Sequence, residues 1–476
     1  MTNIRTRFAP SPTGFLHVGG IRTALFAHLV ARQAGGTFVL RFEDTDKKRE
    51  VEGSAEHLIA SLAATGISYD EGPDKGGDYG PYIQSQRLEI YQKWAHKLIS
   101  AGRAYADPYS SAEVQAFREQ AQANKKAFLY RDHRPENPPV WDGTQPLRFK
   151  SDPKAYTWHD EVMGDITTGP EVIDDLILIK SDGYPTYNFA HIVDDSEMKI
   201  THVIRGQEFI SSMPNFLNLY DALGVSWPLF AHMPHIMNEQ GNKKLGKRDG
   251  AKDVLDYIRD GYLPEALISF IATLGWNDGT TKEVFTHDDL VTGFSLARVQ
   301  RSGARFDEKR LLWVNGHFIR ELSLDDLYDK AHDFWPEQAS KADDAFKKRV
   351  LQLVQDRLKT LADLPMMTTY FFEEPSIDMS LITNNKQLKK LDVQARNEYL
   401  QATYDCLAAL PEWTAESIQA ALNELLETTG QKPGVLFSLI RIATTWAQFS
   451  PQLNDTLELL GKDITLQRIK TAIDAR

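Results

Sequence analysis

A histidine followed, one residue on, by two glycines (His17-Val18-Gly19-Gly20) stands where a Pro/Gly turn opens into a helix pattern. Backbone N–H groups at a helix start have no intrahelical partner, and the helix dipole favours negative charge there. Gly19 and Gly20 let a phosphate approach the main chain closely, and His17 can donate a hydrogen bond to a phosphate oxygen. The same residues also suit a plain strand–turn–helix corner, with the glycines serving packing and His17 solvated. Far along the chain, Lys243-Lys244-Leu245-Gly246-Lys247-Arg248 gathers cations around a glycine without helix or strand periodicity. It can supply mobile positive charge to an anion, or it can be an ordinary surface charge run.

The elements that must hold these groups follow from the surrounding pattern. Ile4, Thr6 and Phe8 alternate as in a half-buried strand, and Pro10, Pro12 and Gly14 then force a turn. Ile21, Ala24, Leu25, His28 and Leu29 recur at helical spacing, and Gly35-Gly36 stops the helix. A second strand over residues 37–42 runs into the acidic stretch Glu43-Asp44-Thr45-Asp46, and a helix follows from Ser54 to near Gly66. This rhythm predicts an α/β fold, a doubly wound parallel sheet of Rossmann-like type. Ligands on such sheets bind at the carboxyl ends of strands, which puts residues 7–11 and Glu43 on one rim. Residues 71–81 read as a connection, and a long helix over 84–101 begins an insertion with a polar helix (111–124), a Pro-rich loop and short strands. The parallel-sheet pattern is expected to resume at 176–180 and 201–205, followed by an amphipathic helix (207–223), a strand (229–233) and a helix pair (253–274). Beyond about residue 321 the pattern is wholly helical.

The 476 residues allow two to four domains, and the apolar and charged fractions are those of a soluble protein. No apolar run can cross a bilayer and no signal-like segment opens the chain, so the expected location is cytoplasmic and off the membrane. Cys406 is the only cysteine, which excludes an internal disulfide and a thiolate zinc site; packed among Tyr404, Leu407 and Leu410 it reads as a small buried apolar residue. A formal charge of −12 argues against indiscriminate nucleic-acid binding, though basic clusters such as Lys47-Lys48-Arg49 could meet a specific RNA or simply be solvated faces.

Together, HVGG at 17–20 and KLGKR at 244–248 resemble the "HIGH" and "KMSKS" elements of class I aminoacyl-tRNA synthetases, and FAPSPTGFLHVGG is similar to the glutamyl-tRNA synthetases of bacterial type. RFEDTD (41–46), SDGYPTYNFA (181–190), THVIRGQE (201–208) and DGYLPEALI (260–268) resemble the same family in the same order. The resemblance implies a glutamate–tRNA ligase that joins L-glutamate to ATP with Mg2+, expels pyrophosphate, and passes the glutamyl group to tRNA(Glu). It implies phosphate and ATP contacts from His17, Gly19, Gly20, Glu208, Lys244 and Lys247, with His17, Lys244 and Lys247 in catalysis. It places the glutamate pocket at Arg7, Ala9, Ser11, Glu43, Tyr187 and Arg205. Arg7 and Arg205 suit two carboxylates and Glu43 an ammonium, unless the arginines are struts within the sheet, for example to Glu43 or Asp195. His191 stands where some members use an asparagine and is open to either packing or contact. Gly246 replaces a serine of the loop motif and adds backbone freedom.

The implied organisation is a catalytic domain (1–82 with 184–238), an acceptor-end-binding insertion (83–183), a stem-contact region carrying the KLGKR loop (239–322) and a helical anticodon-binding region (323–476) in a monomer. Within a helix over 350–361, Arg357 lies in line with Leu353 and Leu361 and matches an arginine with which the family reads the last anticodon base. That favours an enzyme restricted to tRNA(Glu); a form that also charges tRNA(Gln), and a noncatalytic RNA-binding relative, are the alternatives. No zinc is expected.

Overall fold

The first strand, β1 (Arg5–Phe8), is buried at all four positions rather than at alternate ones. It is an interior strand of a parallel sheet, where both faces are covered and alternation disappears. The computed structural model describes residues 3–246, 252–447 and 449–475. β1 leads through the turn into helix α1 (Val18–Gln33), which returns the chain to β2 (Thr37–Leu40), paired parallel to β1 in the register Arg5 to Thr37. β2 is two residues shorter than the pattern implied, and Phe42 makes only an isolated bridge to Ile83. Helix α2 (Ser54–Ala64) follows, and a short 3-10 turn at Gln84–Gln86 precedes α3 (Leu88–Ser100).

The insertion contains β3 (Ala104–Ala106), α4 (Ser111–Ala123), β4 (Leu147–Phe149), β5 (Tyr156–Asp160), β6 (Gly164–Thr168) and β7 (Ile177–Ile179). Two of its features depart from the expectation. β7, expected to rejoin the parallel sheet, belongs instead to a separate antiparallel sheet ordered β3-β4-β7. A short apolar run fits either kind of strand, so periodicity could not separate them. Conversely, the β5–β6 hairpin leaves the insertion and extends the main sheet.

The chain re-enters that sheet through α5 (Tyr187–Glu197), β8 (His202–Gly206), α6 (Met213–Leu223) and β9 (Leu229–Met233). The resulting order is β2-β1-β8-β9-β5-β6, with β5 parallel to β9 and only β6 antiparallel to its neighbour. The amphipathic stretch at 207–223 is split: residues Gln207–Ser212 form a 3-10 turn and the α-helix begins at Met213, with Pro214 in its first turn.

Two units divide the chain, Met1–Tyr257 with Pro264–Glu308, and Ile258–Leu263 with Lys309–Arg476. The described residues of the second unit are helical, with a core drawn from Val393–Ala408, Ala415–Thr429, Pro433–Thr445 and Lys462–Asp474. Cys406 packs at the edge of this core and is half-buried rather than enclosed. The helix expected over 350–361 ends earlier: Asp344–Val354 is α-helical, Gln355–Arg357 is a 3-10 turn and Leu358 is extended. Arg357 is therefore exposed on a turn and not in line with Leu361 on a helix face. Burial lowers the proton affinity of nearby Arg441, and the charge of Arg357 lowers it further. Among the described residues no helix is long and apolar enough to cross a membrane.

Candidate active site

The carboxyl ends of β1, β2 and β8 open into one cleft of about 900 Å³. His17, Gly19, Gly20, Glu208 and Lys244 line it together with Arg7, Ala9, Ser11, Glu43, Tyr187 and Arg205. Residues spread over more than two hundred positions thus converge because consecutive parallel strands end on the same side of their sheet. Lys247 lies outside the described residues, and Arg357 belongs to the second unit.

His17 is the N-cap of α1, with extended backbone and its ring turned back on the helix. Its Nδ1 accepts the N–H of Gly19 at 3.1 Å and that of Gly20 at 3.4 Å. The two amides expected to face an anion directly are therefore engaged by the imidazole. With Nδ1 accepting, the proton of the neutral ring sits on Nε2, so the donor that His17 can present is Nε2–H. A Cβ at Gly20 would lie 2.6 Å from Leu16 Cδ1, the flexible end of a side chain that would have to swing aside.

The two arginines differ. Arg7 is the strut that the strand pattern allowed: its Nε donates to Asp195 at 3.2 Å and its Nη1 to the Ile204 carbonyl. Arg205 is also buried, yet among the described residues no carboxylate stands within ion-pair distance of it. Its Nε donates to His232 Nε2 at 3.1 Å, its Nη1 reaches the Tyr187 hydroxyl at 3.4 Å, and its Nη2 lies 2.9 Å from Met213 Sδ. Phe209 and Phe216 place their rings about the guanidinium at 4.9 and 5.0 Å. A buried cation held by neutral partners and facing a cleft is poised for an external anion.

Glu43 Oε1 accepts from Arg41 Nη2 at 2.9 Å. Burial raises the proton affinity of Glu43 against the opposing charge of Arg41. Tyr187 stacks between Phe209 and His191, and burial pushes its hydroxyl up to about 12, so it stays a neutral donor. His191 does not line the cleft; it packs on Tyr187 and Phe216, and burial followed by the charge of Arg205 lowers it to about 3. Among the described residues no set of three His, Cys, Asp or Glu side chains could hold a metal ion.

Several cleft residues escaped the sequence reading. Lys180, from the SDGYPT neighbourhood, donates to the Thr45 carbonyl at 3.2 Å and to Asp182 at 3.1 Å. Lys47, Lys48 and Arg49, read as an RNA patch or a solvated face, line the cleft rim instead, with Lys47 tied to Asp44 at 2.6 Å. Their signal was position: they directly follow a strand end that carries an acidic motif. His235 and Arg22 lie in the cleft wall with no local pattern to announce them.

Known proteins resemble the chain over its whole length. Residues 3–313 match the catalytic domain of class I tRNA synthetases (E and Q), and residues 326–473 match an anticodon binding domain. A glutamate--tRNA ligase of Clostridium botulinum is 40% identical over 486 aligned positions, covering 100% of this chain and 99% of the relative. One from Clostridium tetani is 38% identical, covering 99% and 97%. Among solved structures, a glutamate tRNA ligase from Elizabethkingia meningosepticum in complex with its amino acid superposes with a TM-score of 0.88 at 31% identity, covering 99% of each chain. A glutamate-tRNA synthetase from Elizabethkingia anophelis gives 0.87 at 32% identity, covering 99% and 100%.

Proposed function

The chain belongs to the class I tRNA synthetases of the glutamate and glutamine group and is a glutamate--tRNA ligase, and from that premise we propose how its cleft divides the work. The observation that carries the reading is Arg205, a buried cation with no carboxylate partner among the described residues, opening on the same cleft as the phosphate-facing corner at His17. L-Glutamate brings two carboxylates and an ammonium. Arg205 takes one carboxylate through its planar fork, Arg7 steers the other, and Glu43 pairs with the ammonium. Tyr187, Ser11 and the backbone at Ala9 complete the amino-acid side.

In the first step an oxygen of the α-carboxylate attacks the α-phosphorus of ATP; a new O–P bond forms and pyrophosphate leaves. The nucleophile belongs to the substrate, so the protein positions reactants and stabilises charge. His17 presents Nε2–H to a phosphate oxygen, Lys244 and Lys247 neutralise charge accumulating toward pyrophosphate, and Glu208 contacts the nucleotide. In the second step a terminal ribose hydroxyl of the tRNA attacks the acyl carbon and AMP departs. Mg2+ would enter with ATP and offset the charge of its phosphates.

Residues 83–183 serve the tRNA acceptor end, residues 239–322 contact the stem and bear the KLGKR loop, and residues 323–476 meet the anticodon, where Arg357 favours tRNA(Glu). We take the chain to act as a cytoplasmic monomer. The test is exchange of labelled pyrophosphate into ATP in the presence of tRNA(Glu). Glutamate should drive exchange and glutamine should not; exchange driven by glutamine alone would overturn the reading.

A further inference from the structure

Arg205 is held from behind by two fully buried residues on neighbouring strands. His232, on β9, offers Nε2 to Arg205 Nε at 3.1 Å, and its Nδ1 lies 2.6 Å from Asp160 Oδ2 at the end of β5. The other Asp160 oxygen is saturated by three backbone N–H groups, from Val162 at 3.1 Å, Met163 at 2.9 Å and His232 itself at 3.2 Å. Burial pushes the Asp160 carboxyl up, but the His232 hydrogen bond and these amides outweigh it and hold it below its ordinary range. Burial and the charge of Arg205 lower the proton affinity of His232 in spite of Asp160. The ring is therefore neutral, with one N–H. An ionised carboxylate with no proton to give claims that N–H at Nδ1, so Nε2 keeps its lone pair and can receive the Arg205 N–H.

We propose that Asp160 and His232 are positioning residues for amino-acid recognition: the carboxylate sets the imidazole tautomer, and the imidazole aims the Arg205 guanidinium into the cleft without neutralising it. The inference rests on the reading of Arg205 as the carboxylate-binding residue. The contrast with Arg7 shows why a ring is interposed. Arg7 is held by Asp195 directly, and part of its charge is answered inside the protein. Arg205 is held just as firmly by a neutral acceptor, with the anion one ring further away, so its charge remains for a ligand. Asp160 also comes from the hairpin that the insertion contributes to the main sheet, so the fit of the amino-acid pocket depends on a segment outside the 1–82 and 184–238 frame.

The test exploits the saturated oxygen. In Asp160→Asn the amide oxygen stays with the three backbone donors, so the amide N–H faces Nδ1 and turns the ring to its Nε2–H form, donor against donor at Arg205. The expected result is a tenfold or larger rise in KM for glutamate with KM for ATP within twofold. His232→Leu should do the same, whereas His232→Gln, whose side-chain oxygen can still accept from Arg205, should stay within a few-fold of the parent chain. A mere staple between β5 and β9 would lower thermal stability in all three variants without a selective effect on glutamate and without rescue by glutamine. On the unaltered protein, imidazole 15N spectra assigned by the loss of one signal in His232→Gln should show an Nδ1–H tautomer for His232; an Nε2–H tautomer would overturn the inference. If Arg205→Ala leaves glutamate KM unchanged, the pocket reading itself falls. If Arg205→Ala abolishes glutamate use while Asp160→Asn and His232→Leu leave glutamate KM within twofold, only the positioning role falls.

Discussion

Arg7 gives its Nε–H to Asp195 at 3.2 Å, and the same carboxylate receives a shorter bond from Arg41 at 2.8 Å. One buried anion thereby orients an arginine of the cleft wall and a fully buried arginine beneath it, which also holds Glu43. The cleft is braced by charge pairs that water does not screen.

That brace makes a prediction in acid. Burial alone would raise the Asp195 carboxyl, but Arg7 and Arg41 outweigh it and bring it to about 2. Against an unfolded value of roughly 3.9 the difference stabilises the fold by roughly 3 kcal/mol. The contribution is complete above about pH 5 and is lost as pH falls through the folded value near 2. Asp195→Asn should therefore lower Tm at pH 7, and the gap from the parent chain should narrow between pH 5 and pH 2. Thermal scans across that range check it; a gap independent of pH would show that the carboxylate charge is not what braces the site.

His17 caps α1, and the proposed function gives it a second duty that substitution can separate from the first. His17→Ala removes both the cap, worth about 1 kcal/mol, and the donor toward phosphate, so stability and adenylate formation should both fall. His17→Asn restores an N-cap acceptor but not a group of imidazole reach. Its Tm should return to that of the parent chain while pyrophosphate exchange stays down by a factor on the order of 100. Recovery of exchange along with Tm would reduce His17 to a structural cap.

For the basic loop the expectation concerns rate and not fold. Lys244 is exposed on the cleft wall, so Lys244→Ala should leave Tm unchanged and cut pyrophosphate exchange severely. Lys247→Ala should behave likewise. Unchanged exchange in either variant removes that lysine from the mechanism.

How far the sequence alone reached can be read from particular residues. Arg7, His17, Glu43, Tyr187 and Arg205 were legible because they sit in or beside strand ends, turn glycines and family motifs, and parallel topology gathers such ends on one rim. Asp160 and His232 were not, since an aspartate between His159 and Glu161 and a single histidine on the apolar β9 carry no spacing signal; only the pairing of β5 with β9 brings them together. The pattern cannot place β7, because four apolar residues in a row fit a parallel or an antiparallel strand equally well. The α-helix stops about two turns short of 361 although Leu358 and Leu361 continue the apolar spacing, since the chain at Leu358 is already extended.

Arg357 is exposed, which suits a group that meets RNA, and its substitution should alter choice and not catalysis. Arg357→Gln should leave pyrophosphate exchange intact and shrink the preference for tRNA(Glu) over tRNA(Gln) by tenfold or more, measured as the ratio of kcat/KM for the two tRNAs. A preserved ratio would move discrimination to another residue.

The most direct test of the whole account is charging of purified tRNA(Glu) and tRNA(Gln), each alone, with labelled glutamate, ATP and Mg2+. Glutamyl-tRNA(Glu) and no labelled tRNA(Gln) are expected. Labelling of both would contradict the restriction to tRNA(Glu), and labelling of neither would contradict the assignment of the cleft as a glutamate-activating site.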